Sequence, residues 1–213
     1  MAISVKDIFG KFNLPLTGQV KWDQEIKLDK CGIYVIALTD KADEVITLKE
    51  PIFSEDAILD WIKLVKVHGK TILVDKTIAS FQSLKQRLSQ YWLPDETIIY
   101  IGRVGPTKGR TFKTRMKQFY ETKLGCNKQH AGGHWLSTLG NIAELNIFYS
   151  ECDPEIEEDM IKYFCEQVSS ETKNGMHDKV NCFPFANKEL NKKIRKKHGI
   201  SNQTVYCGNN WKK

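Results

Sequence analysis

Two stretches of the chain have the uninterrupted apolar character of strands that are buried on both faces. The first covers residues 31–38 and ends at Thr39, and the second covers residues 97–101 and stops at Gly102. Both are rich in β-branched and aromatic side chains, which favour strands. A third stretch, residues 142–149, alternates apolar with polar positions, as a strand with one buried face does. The pattern therefore predicts three strands.

Helical periodicity of apolar side chains appears in four further segments. Two lie between the first and second strands, where Ser54 supplies a capping residue before the first helix and Pro94 closes the second. A third follows the second strand. The fourth starts at Pro154, in the position that proline prefers, and is expected to run to about Ser170. The apolar stripes of the first three are Ala57, Ile58, Trp61, Ile62 and Val65; Ile78, Phe81, Leu84, Leu88 and Tyr91; and Phe112, Met116, Phe119 and Tyr120.

The composition is that of a folded protein with one large domain. The chain has 213 residues, of which 41% are hydrophobic and 10% aromatic, enough to bury a real core and to exclude disorder. The formal charge is +6 and the pI is about 8.9. A mild basic excess suits a polyanionic partner, although many proteins without such a partner share it.

Signals for export and for membrane insertion are missing from the sequence. Residues 1–12 contain no apolar core of a secretion signal, and no apolar run approaches the length of about 18 residues that suggests a membrane-spanning helix. The six cysteines include no C-x-x-C pair. We therefore expect a cytoplasmic protein with reduced thiols and no membrane partner.

One acidic residue interrupts the apolar face of the helix after Pro154. With a turn of about 100° per residue, Met160, Ile161 and Phe164 fall on one broad arc, and Glu157 falls inside it. A carboxylate that faces a core costs several kcal/mol unless it is paired, protonated or bound to a cation. A structural salt bridge to an arginine and a cation site are both open at this point.

The helix after the second strand contains a basic side chain that could pair with this glutamate. Arg115 lies at the edge of its apolar face, whereas Arg110 points away or precedes the helix. A guanidinium group at a core edge can meet a buried carboxylate, or a phosphate in front of one, because its planar fork is always charged. We therefore expect Arg115 and Glu157 to lie together, either as a simple ion pair or within one site.

Five short elements occur in order along the chain. They are Gly32-Ile33-Tyr34, Tyr100-Ile101-Gly102, Arg115 on a helix, Glu157 in the helical run Glu157-Glu158-Asp159-Met160-Ile161, and Pro184 followed three residues later by Asn187. Each motif is common by itself, but the order and secondary-structure context of the five resemble those of the GIY-YIG nuclease family. The resemblance covers residues 32–36 and 98–187.

The resemblance implies an α+β fold in which a small antiparallel sheet of three strands is flanked by helices. A short hairpin usually joins the two signature strands in the family, whereas 65 residues separate Tyr34 from Tyr100 here. Residues 39–96 are then a helical insertion within a single domain of residues 1–213. Residues 188–213 are a basic C-terminal extension.

The resemblance also implies an endonuclease that hydrolyses DNA phosphodiester bonds with one divalent metal ion. Glu157 would hold Mg²⁺ or Mn²⁺, hard cations that suit a carboxylate and waters. Arg115 would stabilise charge that develops on the scissile phosphate. Tyr34 and Tyr100 would position or deprotonate the attacking water, and which of them acts as the base stays open because a phenol with a pKa near 10 needs help from nearby cations. Asn187 would orient the substrate or the metal shell.

One residue of the family pattern is missing. Many members place a histidine one helical turn after the arginine, where this chain has Phe119. His130 or His134, both in the segment between the helix and the third strand, could supply the imidazole. Of these two histidines, His130 is slightly preferred as the catalytic residue.

Basic side chains around the expected site suit a DNA partner, which we expect to be double-stranded. Such side chains make salt-dependent contacts to phosphates and position a duplex without reading its sequence. The candidates for DNA binding are Arg103, Lys108, Arg110, Lys113 and Lys117.

Two other classes of protein share features with this sequence. The Gly-rich segment between the second strand and its helix resembles a P-loop, but it ends in Gly109-Arg110-Thr111, so the lysine that grips phosphate is misplaced. A catalytically inactive nucleic-acid-binding module of the same fold is the stronger alternative. The missing histidine favours it, and the intact tyrosines, arginine, glutamate and asparagine oppose it.

Overall fold

The computed structural model describes residues 2–106, 110–127 and 131–208, which form an α+β fold with two antiparallel sheets. No helix in those ranges is both long and apolar enough to cross a membrane. The helices are α1 (Val5–Lys11), α2 (Glu55–Val67), α3 (Phe81–Ser89), α4 (Phe112–Tyr120), α5 (Ala131–Leu136), α6 (Glu157–Gln167) and α7 (Ser170–Gly175). The strands are β1 (Gly18–Lys21), β2 (Gly32–Ala37), β3 (Leu73–Val74), β4 (Thr77–Ile78), β5 (Ile98–Val104), β6 (Asn146–Glu151) and β7 (Ile200–Ser201).

The larger sheet has four strands in the order β1-β6-β2-β5, and each neighbouring pair is antiparallel. The three strands expected from the sequence are its members β6, β2 and β5, so the expected count of three is one too low. The fourth strand, β1, was missed because its residues alternate between half-buried and exposed and form no apolar run. The strand expected over residues 142–149 starts at Asn146, because Ile142–Glu144 form a 3₁₀ turn.

The central strand β2 is buried along its whole length and divides the core into two clusters. Tyr34 and Ile36 belong to the cluster that contains α4 and the insertion helices. Ile33 and Val35 point to the opposite face, where α1 and α6 pack. This alternation follows from the two-residue period of a strand, and it directs the signature tyrosine to one face only.

The inserted segment packs against the C-terminal segment. Helix α2 begins after the capping residue Ser54 and packs on α3. Strand β3 pairs with β4 inside the insertion and with β7 near the C-terminus. Arg87 on α3 forms an ion pair with Asp75 and donates a 2.8 Å hydrogen bond to the carbonyl oxygen of His198. Two of the three parts that lie outside the family resemblance, the insertion and the C-terminal extension, are therefore joined to each other.

A disulfide between Cys126 and Cys207 corrects the expectation that all thiols are reduced. The two cysteines are 81 residues apart, so no local spacing signals the bond. Backbone pairing brings them together, because Asn127 N–H donates to the Val205 carbonyl oxygen and Val205 N–H donates to the Gly125 carbonyl oxygen, each at 2.8 Å. The other four cysteines are free thiols.

Candidate active site

Two tyrosines from neighbouring strands pack together at the base of the site. In the register of β2 and β5, Tyr34 lies opposite Gly102, and Ile36 lies opposite Tyr100. The centroids of the two tyrosine rings are 5.8 Å apart. A Cβ atom at Gly102 would overlap both rings. The glycine that ends the second signature motif is therefore required by this packing.

The glycine of the first motif has a separate steric reason. Gly32 has a φ of +154°, a conformation that residues with a side chain rarely adopt. A Cβ atom there would also overlap the carbonyl oxygen of Ser150 on β6. Gly32 thus allows β2 to approach β6 closely, two residues before Tyr34 enters the site.

Phe119 fills the position at which the family resemblance leads one to expect a histidine. Its buried ring lies 6.1 Å from the ring of Tyr34 and 5.3 Å from that of Tyr100. The phenyl ring excludes water from this side of the phenols and exchanges no proton. His134 on α5 is also buried, and burial lowers its pKa to about 4, so its imidazole is neutral at pH 7. His130 lies outside the described residues.

Burial raises the pKa of both phenols. For Tyr34 the charge of Arg115 opposes this effect and the charge of Glu157 adds to it. For Tyr100 the neighbouring phenol and Glu157 both add to the effect of burial. Both phenols therefore keep their protons at pH 7. In this state each phenol can donate a hydrogen bond.

Arg115 enters the site from the first turn of α4. Thr111 fixes the start of the helix, because its hydroxyl accepts a hydrogen bond from Thr114 N–H in a capping box. The Arg115 side chain is partly buried, and its Nε has no hydrogen-bond partner in the described part of the chain. Burial alone would lower the pKa of the guanidinium group, but the two phenols and Glu157 outweigh it and raise the pKa. The positive charge is therefore retained.

Glu157 is the first residue of α6, and 23% of its side chain is exposed. Burial raises the pKa of its carboxyl group to about 7, although the charges of Arg103 and Arg115 act in the opposite direction. A carboxyl group in this state is destabilised as an anion and gains from any further positive charge in the cavity.

The ion-pair partner of Glu157 is Arg103, whereas the sequence pattern pointed to Arg115. Arg103 Nε lies 3.1 Å from Glu157 Oε2, and its Nη1 lies 2.7 Å from Glu155 Oε1. The sequence grouped Arg103 with the DNA contacts because the strand was expected to end before it, but β5 continues to Val104. The sequence signal for this bridge was the pair of glutamates, Glu155 just before α6 and Glu157 at its first residue.

The side-chain amide of Asn187 binds both backbone groups of Ile101. Ile101 N–H donates to Asn187 Oδ1 at 2.9 Å, and Asn187 Nδ2 donates to the Ile101 carbonyl oxygen at 2.7 Å. The backbone N–H of Asn187 donates to the carbonyl oxygen of Pro184 at 2.9 Å, which accounts for the spacing of these two residues. Asn187 therefore positions the strand that carries Tyr100 and Arg103.

A polar cavity of about 500 Å³ brings most of the expected catalytic residues together. Tyr100, Arg115, Glu157 and Asn187 line it, and Arg103 joins them. Residues 186–192 of the C-terminal segment form one wall. Tyr34 is fully buried and supports Tyr100. Four elements distant in sequence thus supply one concave site.

The expected DNA contacts other than Arg103 lie at the surface where they are described. Lys113 and Lys117 are exposed and pair with glutamates at 2.8 Å and 3.8 Å. Exposed pairs of this kind are weak, so these lysines can exchange a glutamate for a phosphate. Arg110 is exposed. Lys108 lies outside the described residues.

The donor set suits a hard cation that takes few protein ligands. In the described ranges, no group of three or more His, Cys, Asp or Glu side chains is placed to hold a metal ion. Glu157 presents carboxylate oxygens to the cavity, and Glu155 and Glu158 also line it. Mg²⁺ commonly binds through one or two carboxylates and keeps several waters. The residues present therefore fit Mg²⁺ or Mn²⁺ at Glu157.

Comparison of the chain with protein-family models, with curated proteins and with solved structures finds no match. The resemblance of the signature motifs to the nuclease family therefore stays a hypothesis.

Proposed function

We propose that this protein is a metal-dependent endonuclease of the GIY-YIG type that hydrolyses phosphodiester bonds in DNA. The observation that carries the proposal is the convergence of Tyr100, Arg115 and Glu157 on one polar cavity. A purely structural ion pair would be complete with Arg103 and Glu157 alone. It would need neither a second arginine nor a phenol beside a cavity.

Arg115 is the residue that meets the charge of the reaction. A water oxygen attacks phosphorus, the bond to the leaving sugar oxygen breaks, and that oxygen takes up a proton. Negative charge grows on the non-bridging phosphate oxygens in between. The Arg115 guanidinium group is fixed by α4 and has an unpartnered Nε in the described part of the chain. Preorganised charge of this kind contributes most when it faces charge that develops in the transition state.

Tyr100 orients the attacking water, and Tyr34 orients Tyr100. The neutral phenol of Tyr100 lines the cavity and offers both a donor and an acceptor. Tyr34 is fully buried behind it, and Phe119 closes the apolar side. The released proton of the water passes to solvent through the open side of the cavity.

Glu157 is the residue that would hold the metal ion. A bound Mg²⁺ or Mn²⁺ supplies positive charge next to the scissile phosphate. Arg103 fixes the carboxylates of Glu157 and Glu155 by bridging them. The net charge of +6 and the exposed side chains of Arg110, Lys113 and Lys117 support DNA as the polyanionic partner.

The test is conversion of supercoiled plasmid to nicked or linear DNA, with and without Mg²⁺ or Mn²⁺. We expect Glu157→Gln to bind DNA and to lose cleavage by about a hundredfold or more. Glu166→Gln is the matched control, because Glu166 is exposed on the same helix and undergoes the same chemical change.

Full activity of Glu157→Gln would remove the metal ligand from the proposal. Binding without cleavage by the wild-type protein, with either metal, would favour the inactive nucleic-acid-binding module instead. The presence of Phe119 in place of a histidine is the observation that keeps this second candidate in view.

A further inference from the structure

The arginines of this chain are concentrated beside the candidate site. The sequence contains 27 lysines and only five arginines. Three of these five, Arg103, Arg110 and Arg115, line a second cavity of about 200 Å³. Arginine differs from lysine in that its planar fork binds phosphate through two parallel hydrogen bonds. The choice of arginine at this cavity, in a chain that otherwise uses lysine, indicates a ligand that needs this geometry.

This smaller cavity adjoins the first. Arg103, Arg115 and Glu155 line both. Its other walls come from the end of β5 with Gly105 and Pro106, and from Thr114 and Gln118 on α4. A Cβ atom at Gly105 would meet nothing within 4 Å, so the backbone there faces open space. A group bound in the smaller cavity therefore lies next to a group bound in the larger one.

The charges in the smaller cavity favour an anion. Three guanidinium groups face one carboxylate, that of Glu155. Arg103 is already engaged by Glu155 and Glu157. Arg110 is exposed, and in residues 2–106, 110–127 and 131–208 it makes no ion pair. Arg110 is thus an exposed guanidinium group of this cavity whose charge no carboxylate in that part of the chain neutralises.

The size of the cavity favours a single group of a longer molecule. Clefts that take whole small-molecule ligands measure roughly 300–1,000 Å³. A phosphate group is much smaller than such ligands and carries the charge that three arginines select. We propose that this cavity is a second phosphate subsite, in which Arg110 binds the phosphodiester group adjacent to the scissile one. The proposal rests on the proposed nuclease function for the identity of the nucleic acid.

Two neighbouring phosphates held in two adjoining cavities fix the register of the strand. The cleaved bond must then be flanked by a further phosphate on the side of Arg110. This requirement selects a continuous chain over a free nucleotide or a chain end. The subsite therefore gives a physical reason for cleavage within a strand.

The test uses binding rather than cleavage, so that it does not depend on activity. A set of DNA duplexes carries one neutral methylphosphonate in place of a phosphate, at each backbone position in turn. Binding of wild-type protein, Arg110→Gln and Lys113→Gln is measured in EDTA. Lys113 is the matched control, because it lies three residues after Arg110 in the first turn of α4, is exposed and pairs with Glu25.

We expect one non-scissile position at which methylphosphonate weakens wild-type binding by about tenfold, the size of a lost charged hydrogen bond. Arg110→Gln should bind unmodified DNA about tenfold more weakly and show no further loss at that position. Lys113→Gln should keep the full loss at that position. This non-additivity assigns one phosphate to Arg110.

If methylphosphonate weakened DNA binding of Arg110→Gln by the same factor as that of wild type at every position, the subsite would be overturned. Arg110 would then act only as a diffuse surface charge. Stronger binding of inorganic phosphate than of DNA, abolished in Arg110→Gln, would make it a site for free phosphate and would also overturn the proposal. Non-additivity in a protein that cuts no DNA would preserve the subsite while the nuclease function fails. Cleavage without non-additivity would preserve the nuclease function while the subsite fails.

Discussion

Glu157, which is partly buried, and Lys196, which is buried, are two ionisable side chains whose surroundings differ. Glu157 faces a cavity of about 500 Å³ that two arginines and a phenol also line. Lys196 is 4% exposed, and its Nζ donates to the carbonyl oxygens of Pro184 and Phe185, both at 2.9 Å. Its ammonium group also lies over the rings of Tyr91 and Trp135, at 5.5 Å and 5.2 Å.

The difference separates a charge available for chemistry from a charge used for structure. Lys196 is held by two carbonyl oxygens and two rings, and its hydrogen bonds fix the turn that leads to Asn187. Glu157 keeps access to a space that a ligand can enter. A perturbed charge alone therefore does not mark a site, and access to a cavity is the discriminating feature.

The largest expected effect tests whether the cavity that Glu157 faces, and not the surroundings of Lys196, takes part in catalysis. Arg115→Gln should lower the rate of plasmid cleavage by about 10²–10³-fold, because a preorganised donor to the transition state is removed. Lys196→Met should cleave at close to the wild-type rate when assayed well below its melting temperature. The rates are measured under single-turnover conditions. The comparison fails if the two variants lose activity equally.

The pH dependence of stability should have opposite signs for the two groups. The pKa of Glu157 is raised from 4.5 to about 7, so the folded state binds a proton more tightly and stability falls as pH rises from 4.5 to 7. The pKa of Lys196 is lowered from 10.5 to about 7, so the unfolded state binds a proton more tightly and stability rises between pH 7 and 10.5. Together they contribute a minimum near pH 7.

Urea unfolding as a function of pH measures both limbs. Glu157→Gln should flatten the acid limb, and Lys196→Met should flatten the alkaline limb. Above pH 9, Lys196→Met should also be less stable than wild type by about 1–3 kcal/mol, because two buried carbonyl groups lose their donor. Unchanged limbs in both variants would show that neither group is desolvated in the folded state.

The smallest expected effects concern packing next to the candidate site. A Cβ atom at Gly132 would overlap the ring of Tyr100, whereas one at Gly10 would meet nothing within 4 Å. Gly132→Ala should destabilise the fold by about 1–3 kcal/mol through overpacking and should also slow cleavage. Gly10→Ala lies in α1 and should stabilise it by about 0.5–1 kcal/mol. Equal stability of the two variants in urea would mean that Gly132 does not pack on Tyr100.

Long apolar runs and helical stripes made much of the fold predictable. Strand β2 and helices α2, α3 and α4 correspond to segments expected from side-chain periodicity, and β5 extends three residues beyond its expected segment. Strands β1, β4 and β7 lack an apolar run, and β3 lies in the brief apolar run of residues 71–74, which is too short to define a strand. Such strands exist because a distant segment pairs with them, and a local pattern does not contain that information.

The candidate site was predictable to the extent that local motifs carry it. The signature tyrosines and Glu157 could be picked out because each stands in a recognisable strand or helix pattern. The bridge from Arg103 to the two glutamates depends on how far β5 extends beside α6, which the pattern left open. Lys196 was counted with the basic C-terminal extension of residues 188–213, because the rings that bury it come from distant parts of the chain.

The hydrogen bonds between Asn187 and Ile101 also determine how the sheet ends. Strand β5 is an outer strand of the sheet order, and an unpaired outer strand is a template for aggregation with other chains. Ala186 N–H donates to the Ile99 carbonyl oxygen at 2.9 Å, next to the two bonds made by Asn187. The segment of Ala186 and Asn187, which is not a strand, thus covers the edge of the sheet at which a strand of another chain would pair. The same asparagine that positions β5 also covers this edge of the sheet against edge-to-edge association.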